Sequence, residues 1–95
     1  MSSKLLTSEA LKALKNQIPN WTIKESEMTI ELNFKDFIEA FGFLAKLALI
    51  CESIEHHAEI HNIYSKVIIN LTTHDLGGLS NKDELLARKI NDLII

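Results

Sequence analysis

The sequence is poor in the residues that mark several common classes of protein. Its single cysteine cannot form an internal disulfide, which suits a protein of a reducing cytosol. One proline and three glycines form no linker, repeat or phosphate-binding loop. The 10 basic residues are dispersed and outnumbered by 13 acidic ones, which argues against nucleic acid as a direct ligand.

Long hydrophobic runs are also missing. No stretch approaches the roughly 18 apolar residues of a membrane span. The first 15 residues look helical and amphipathic, without the apolar core of a signal peptide. We therefore expect a cytoplasmic protein with no membrane partner.

The bulk composition is that of an ordinary globular domain, with 46% apolar and 24% charged residues. At 95 residues we expect one domain over residues 1–95. A domain of this size buries a modest fraction of its surface, so self-association would be a natural way to bury more.

Hydrophobic periodicity predicts seven elements in the order α-β-β-α-β-β-α. The predicted helices cover about residues 8–17, 34–54 and 81 onward, and the strands lie at about 21–23, 28–34, 57–64 and 67–72. Thr7 and Asn33 are the expected N-caps of the first two helices, and Ser80 with Asp83 resembles a capping box for the third. The pattern predicts an α+β fold, with a single four-stranded antiparallel sheet and helices packed on one face.

The central helix is apolar on two sides. One stripe contains Phe34, Phe37, Ile38, Phe41, Leu44, Ala45 and Ala48, and a second contains Phe43, Leu47, Ile50 and Ile54. One stripe can cover the sheet of its own domain, so we expect the second to meet another subunit. The alternative is that the first helix of the same chain covers it.

All four histidines fall between positions 56 and 74. His56 and His57 lie where the long helix gives way to a strand, and His74 lies where the next strand ends. These places can meet at one edge of an antiparallel sheet. Histidine transfers protons near neutral pH, so the cluster, flanked by carboxylates, fits general acid/base chemistry on a polar small molecule.

The neighbouring residues have simpler interpretations. His61 is predicted to be solvated or packed in a strand, Trp21 to belong to the core, and Cys51 to be an inert buried thiol. Three or four histidines could hold zinc, but adjacent histidines diverge in a strand, and no Cys pair, HExxH or HxH spacing is present. We therefore expect no metal site.

The sequence is similar to the pterin-4a-carbinolamine dehydratase family. The resemblance rests on Glu-Ser-Ile-Glu-His-His at 52–57, Asn-Ile-Tyr at 62–64, Leu-Thr-Thr-His-Asp at 71–75, Gly-Leu-Ser at 78–80 and Asp83. The central helix from Phe34 to Leu49 and the early Trp21 also resemble that family. It implies an α+β fold, an oligomer that packs through the helix, and removal of water from a 4a-hydroxytetrahydropterin to give the quinonoid dihydropterin. This hydro-lyase reaction serves tetrahydropterin recycling and needs no metal or organic cofactor.

The resemblance also implies roles for individual residues. His56 and His74 would be the proton-transfer pair, and His57 would bind and orient the pterin. The substrate-binding edges would comprise Glu55, His56, His57, Thr72, Thr73, His74 and Asp75. Glu52 and Asp83 would support the histidines.

One position departs from the family pattern, because Ala58 stands where the family usually has proline. This frees φ in the turn that aims the two histidines. An alternative function on the same fold is a protein-interaction module, a dimerisation cofactor without significant catalysis. The retained histidines favour the enzyme.

Overall fold

The computed structural model describes residues 2–94 and confirms the predicted order of elements. The helices are α1 (Ser8–Gln17), α2 (Phe37–Ile54) and α3 (Asn81–Ile94), and the strands are β1 (Thr22–Ile23), β2 (Met28–Asn33), β3 (Glu59–Ile63) and β4 (Lys66–Leu71). A short 3₁₀ turn, His74–Leu76, follows β4.

The four strands form one antiparallel sheet in the order β1-β2-β4-β3. Alternate residues of the central strands point to one face, where Met28, Ile30, Val67, Ile69 and Leu71 are buried. They pack in one cluster with the buried side chains of all three helices. The helices therefore cover a single face of the sheet, as the pattern predicted.

Short polar side chains start the helices. The Thr7 hydroxyl accepts the N–H of Ala10 at 3.1 Å, as expected for the N-cap of α1. The prediction for α2 was wrong in detail, because Asp36 rather than Asn33 caps it. Oδ1 of Asp36 accepts the N–H of Glu39 at 2.8 Å, and α2 starts three residues later than predicted.

The prediction of which apolar side of α2 faces the sheet was wrong. The stripe expected to meet another subunit contributes to the core, with Phe43 and Leu47 buried and Ile50 and Ile54 packed against the cluster. The first stripe is exposed at Phe37, Ile38, Phe41, Ala45 and Ala48, as is the neighbouring Leu49, whereas Phe34 and Leu44 of that stripe pack against the core. The sheet-facing side also carries Ala40 and Cys51, whose small side chains contribute little to a pattern weighted by large apolar residues.

Hydropathy gives no sign of a membrane crossing. Within residues 2–94, no helix has both the length and the apolar character that a span would need.

Candidate active site

α2 ends in a tight left-handed turn, and the paired histidines follow this turn directly. Glu55 adopts φ 53° and ψ 44°, and its N–H bonds to the carbonyls of Cys51 and Glu52. The N–H of His56 also donates to Cys51 O, at 3.1 Å. This turn closes the helix and directs residues 55–58 toward β3.

The end of β4 brings the second half of the site alongside. Glu59 at the start of β3 pairs with Asn70 near the end of β4, so His57 and Thr72 come from adjoining ends of neighbouring strands. The hydroxyl of Thr72 donates to Ser26 O at 2.6 Å, which ties this end to the β1–β2 turn. His74 then lies on the 3₁₀ turn that Gly77 ends with φ 68°.

A buried carboxylate organises the centre of the site. Asp83 is fully buried, and its Oδ1 lies 2.6 Å from Nε2 of His56. Its Oδ2 accepts the Thr73 hydroxyl at 2.7 Å and the Ser80 N–H at 2.8 Å. The sequence predicted a capping box at Ser80 and Asp83. The bond from the Ser80 N–H to the Asp83 side chain is one of the two hydrogen bonds of that motif. The same carboxylate therefore starts α3 and orients His56.

The contact with Asp83 constrains which ring nitrogen of His56 can face a ligand. A carboxylate only accepts hydrogen bonds, so an ionised Asp83 requires Nε2 of His56 to carry hydrogen. The remaining ring nitrogen, Nδ1, is then the one that can exchange a proton with a ligand. The His56 side chain is 11% exposed, and the bond to a fully buried partner restricts its orientation.

The sequence-predicted residues meet around one cleft of about 260 Å³. The cleft is lined by Ser3, Glu55, His56, His57, Thr72, Thr73, His74, Asp75 and Lys82. All seven residues expected to bind substrate are in this set. His57 and His74 are exposed, and neither ring has a hydrogen-bond partner within residues 2–94.

Several residues near the cluster lie outside the cleft. Glu52 is exposed on α2, is not among the lining residues, and forms no side-chain hydrogen bond with a histidine within residues 2–94. His61 is exposed and bonds to Glu59 at 2.9 Å. Burial raises the pKa of the Cys51 thiol, which the nearby N–H of Ala58 offsets only in part. Trp21 is buried, as predicted, and donates its indole N–H to Asn91.

A larger depression, of about 630 Å³, lies between the end of β2, α2 and the end of α3. It contains Glu39 and Lys46 but none of the four histidines. Among residues 2–94, no group of three or more His, Cys, Asp or Glu side chains is arranged to hold a metal ion.

Two cleft residues were missed by the sequence analysis. Lys82 directly precedes Asp83, so its position could have been found from the capping box. Ser3 comes from the N-terminal segment, 53 positions before His56, and no local pattern indicates it.

Fold and site together define a small α+β protein with a histidine cleft backed by a buried carboxylate. The family model described as Pterin 4 alpha carbinolamine dehydratase matches residues 3–93. A protein of Prochlorococcus marinus strain MIT 9515, named "Putative pterin-4-alpha-carbinolamine dehydratase", is 52% identical over 93 residues, covering 98% of this chain and 97% of the relative. A protein of the same name from strain MIT 9303 is 43% identical over 91 residues, covering 96% and 95%.

A solved structure agrees with these sequence matches. The crystal structure of a "transcriptional coactivator/pterin dehydratase" from Brucella melitensis superposes with a TM-score of 0.88 at 34% identity, covering 94% of this chain and 97% of that one. The chain belongs to the pterin 4 alpha carbinolamine dehydratase family. The activity for which the family is named is a dehydration, a hydro-lyase reaction.

Proposed function

We propose that this chain dehydrates a 4a-hydroxytetrahydropterin to the quinonoid dihydropterin and water. In this reaction the N5–H proton is removed, the C4a–O bond breaks, and a C4a=N5 double bond forms. Hydroxide is a poor leaving group, so the departing oxygen needs a proton. The observation that carries the proposal is the His56–Asp83 pair at 2.6 Å in a cleft that two further histidines line.

His56 is proposed as the group that accepts the N5 proton. Asp83 directs Nδ1 of His56 to the ligand side, and its carboxylate stabilises the imidazolium that forms when this nitrogen takes a proton. The low exposure of both partners strengthens that interaction relative to one in open water.

His74 is proposed as the group that protonates the departing hydroxyl. Its ring is exposed and has no partner within residues 2–94, so it can regain a proton from solvent after each turnover. His57 would bind and orient the pterin, and the backbone of the two cleft edges would read the donors and acceptors of its ring. Because the reaction involves no net oxidation, the proposal requires no cofactor.

The test is the dehydration rate of freshly generated 4a-hydroxytetrahydropterin, followed by ultraviolet absorbance with a chelator present. We expect acceleration by the wild type and loss of about 10²-fold or more in a His56→Ala/His74→Ala variant. His61→Ala is the matched control, because His61 is exposed and outside the cleft. An inert but folded wild type would refute the proposal, and so would a double variant that retains full rate.

The exposed side of α2 supports a further proposal, that the chain forms a homodimer or homotetramer through this helix. Phe37, Ile38, Phe41 and Leu49 are between 50% and 81% exposed on one helix. Contiguous apolar side chains of this size on a small protein are typical of an interface. The same surface favours a second candidate function, the binding of another protein, since the Brucella relative is described as a transcriptional coactivator as well.

Sedimentation or light scattering of the purified chain separates these two uses of α2. A stable homo-oligomer that buries the helix supports self-association, whereas a monomer at micromolar concentration leaves the face available to a different protein. As a cellular role we propose tetrahydropterin recycling in the cytoplasm, which the free, buried Cys51 supports because it suits a reducing compartment.

A further inference from the structure

Residues 2–6 precede α1 and run as a strap across the start of α3. The N–H of Leu6 donates to Leu79 O at 2.9 Å, and Leu5 forms an antiparallel bridge with Ser80. The strap therefore pairs, backbone to backbone, with the segment that leads into α3.

Asn81, the first residue of α3, fastens this strap with three hydrogen bonds. Its backbone N–H donates to Lys4 O at 3.0 Å, and its Oδ1 accepts the N–H of Lys4 at 2.8 Å. Its Nδ2 donates to Ser2 O at 3.0 Å. Both the oxygen and the nitrogen of the Asn81 side-chain amide therefore form hydrogen bonds with the N-terminal segment.

The segment beneath the strap also supports the site. On its other side, Gly78 pairs with Thr73, whose N–H donates to Gly78 O at 2.9 Å. Leu5 lies so close over Gly78 that a Cβ there would be 3.2 Å from its Cδ2, so a glycine permits the approach. Residues 78–81 are therefore enclosed between the strap and the end of β4.

The groups that orient His56 lie in or next to this enclosed segment and are buried. Ser80 and Asp83 are fully buried, and Thr73 is 8% exposed. The strap also places Ser3 in the wall of the histidine cleft. If the strap were loose, water could compete for the Asp83 carboxylate and the cleft would lose one wall.

We propose that Asn81 is a positioning residue for the dehydration. Asn81 holds the strap against the Ser80–Asp83–Thr73 network. The strap then excludes water from the His56–Asp83 hydrogen bond, and the ring of His56 keeps one orientation. The inference rests on the proposed function for its catalytic consequence, whereas its structural part can be measured without substrate.

Asn91 provides a matched control on the same helix. It also joins α3 to a distant segment through its side chain, by bonds to Asn20 and to the indole of Trp21, but it lies outside the cleft. Asn81→Ala and Asn91→Ala therefore remove comparable contacts from opposite ends of α3.

The experiment measures kcat, KM and the ring ¹⁵N signals of His56 in the full-length wild type and in both variants. We expect Asn81→Ala to lower kcat about tenfold, because small misplacements of a catalytic group are costly, and to change KM less than about threefold. It should also alter the His56 signals and speed the hydrogen exchange of the Lys4 and Leu6 amides. Asn91→Ala should change neither kcat nor the His56 signals. Asn81→Asp, which keeps the acceptor for the Lys4 N–H, should recover most of kcat.

The outcomes are distinct. Equal losses of kcat in Asn81→Ala and Asn91→Ala, or unchanged His56 signals in Asn81→Ala, would overturn the proposal, because the effect would then be general destabilisation. Inactivity of the wild type would refute the proposed function instead. The role of Asn81 would in that case be decided by the His56 signals and the amide exchange alone.

Discussion

The turn that ends α2 and the exposed face of the same helix differ in their surroundings. At the C-terminal end, the left-handed turn at Glu55 carries His56 to a fully buried carboxylate, and every polar atom of that carboxylate is hydrogen-bonded. Along the helix before this end, the outward face carries Phe37, Ile38, Phe41 and Leu49, which are exposed to water in the single chain. The turn after α2 therefore joins a hydrogen-bonded network, whereas the outward face of the helix is an exposed apolar surface.

In the functions proposed above, the chemistry uses the turn that follows α2 and the assembly uses the exposed face of that helix. A change at one end should then leave the property of the other end nearly intact. The predictions below test this separation.

The largest effect is expected from Asp83→Asn. The substitution keeps size and shape, but an amide that turns its NH₂ toward His56 would force the other tautomer, with the proton moved to Nδ1. We expect kcat to fall by about 10²-fold or more, while the oligomeric state is unchanged. Steady-state kinetics and light scattering on the same sample check both parts.

Asp92→Asn is the control for that change, because Asp92 is an exposed aspartate on the same helix. A variant at Asp83 that keeps more than a third of the wild-type kcat would show that the carboxylate is only a helix cap. Dissociation of the oligomer in Asp83→Asn would equally contradict the separation of chemistry from assembly.

Much of this site was predictable from sequence, because its parts have local signatures. The clustered histidines, the Ser80–Asp83 capping box and the ends of β3 and β4 are all read from spacing. The family resemblance implied only that Asp83 would support the histidines, and its bond to His56, 27 positions away, was not predicted. The strap was not predictable, since its bonds to Asn81 span 77 positions or more and involve no periodic pattern.

The next effect concerns assembly. Ile38→Glu with Phe41→Glu places two carboxylates on the exposed face of α2. Burial of each original side chain would be worth about 1.5–3 kcal/mol, so we expect the dissociation constant of the proposed oligomer to rise by on the order of 10²-fold or more. Analytical ultracentrifugation measures this, and the dehydration rate per chain should stay within about threefold of the wild type.

Ala13→Glu on the exposed side of α1 is the matched control and should leave assembly unchanged. If the α2 variant remained associated, the interface would lie elsewhere.

The sequence could not decide which side of α2 is exposed, because both sides are apolar and periodicity alone does not identify the one that faces the sheet.

A smaller effect is expected from Ala58→Pro, which restores the residue usual in the family to the turn after the histidines. Fewer unfolded conformations should stabilise the fold by about 0.4–1 kcal/mol, and loss of the Ala58 N–H contact with Cys51 should offset part of this gain, as measured by urea unfolding. The N–H of Ala58 lowers the pKa of the Cys51 thiol, so its removal should raise that pKa further and slow alkylation of the native protein. A less stable variant would show that this N–H, or the present φ, is needed.

The smallest effect is expected at two positions. Within residues 2–94, two residues other than glycine adopt positive φ, Glu55 at 53° and Tyr64 at 51°. Tyr64 lies in the β3–β4 turn and is 81% exposed, whereas Glu55 lines the cleft. Glycine relieves the left-handed strain at either site but adds freedom to the unfolded chain, so each variant should gain only about 0.5 kcal/mol in the free energy of unfolding. Alanine at Tyr64 keeps the strain and should gain nothing. Glu55→Gly alone should change KM for the pterin, and an equal change in Tyr64→Gly would mean that the hairpin, not the cleft, limits binding.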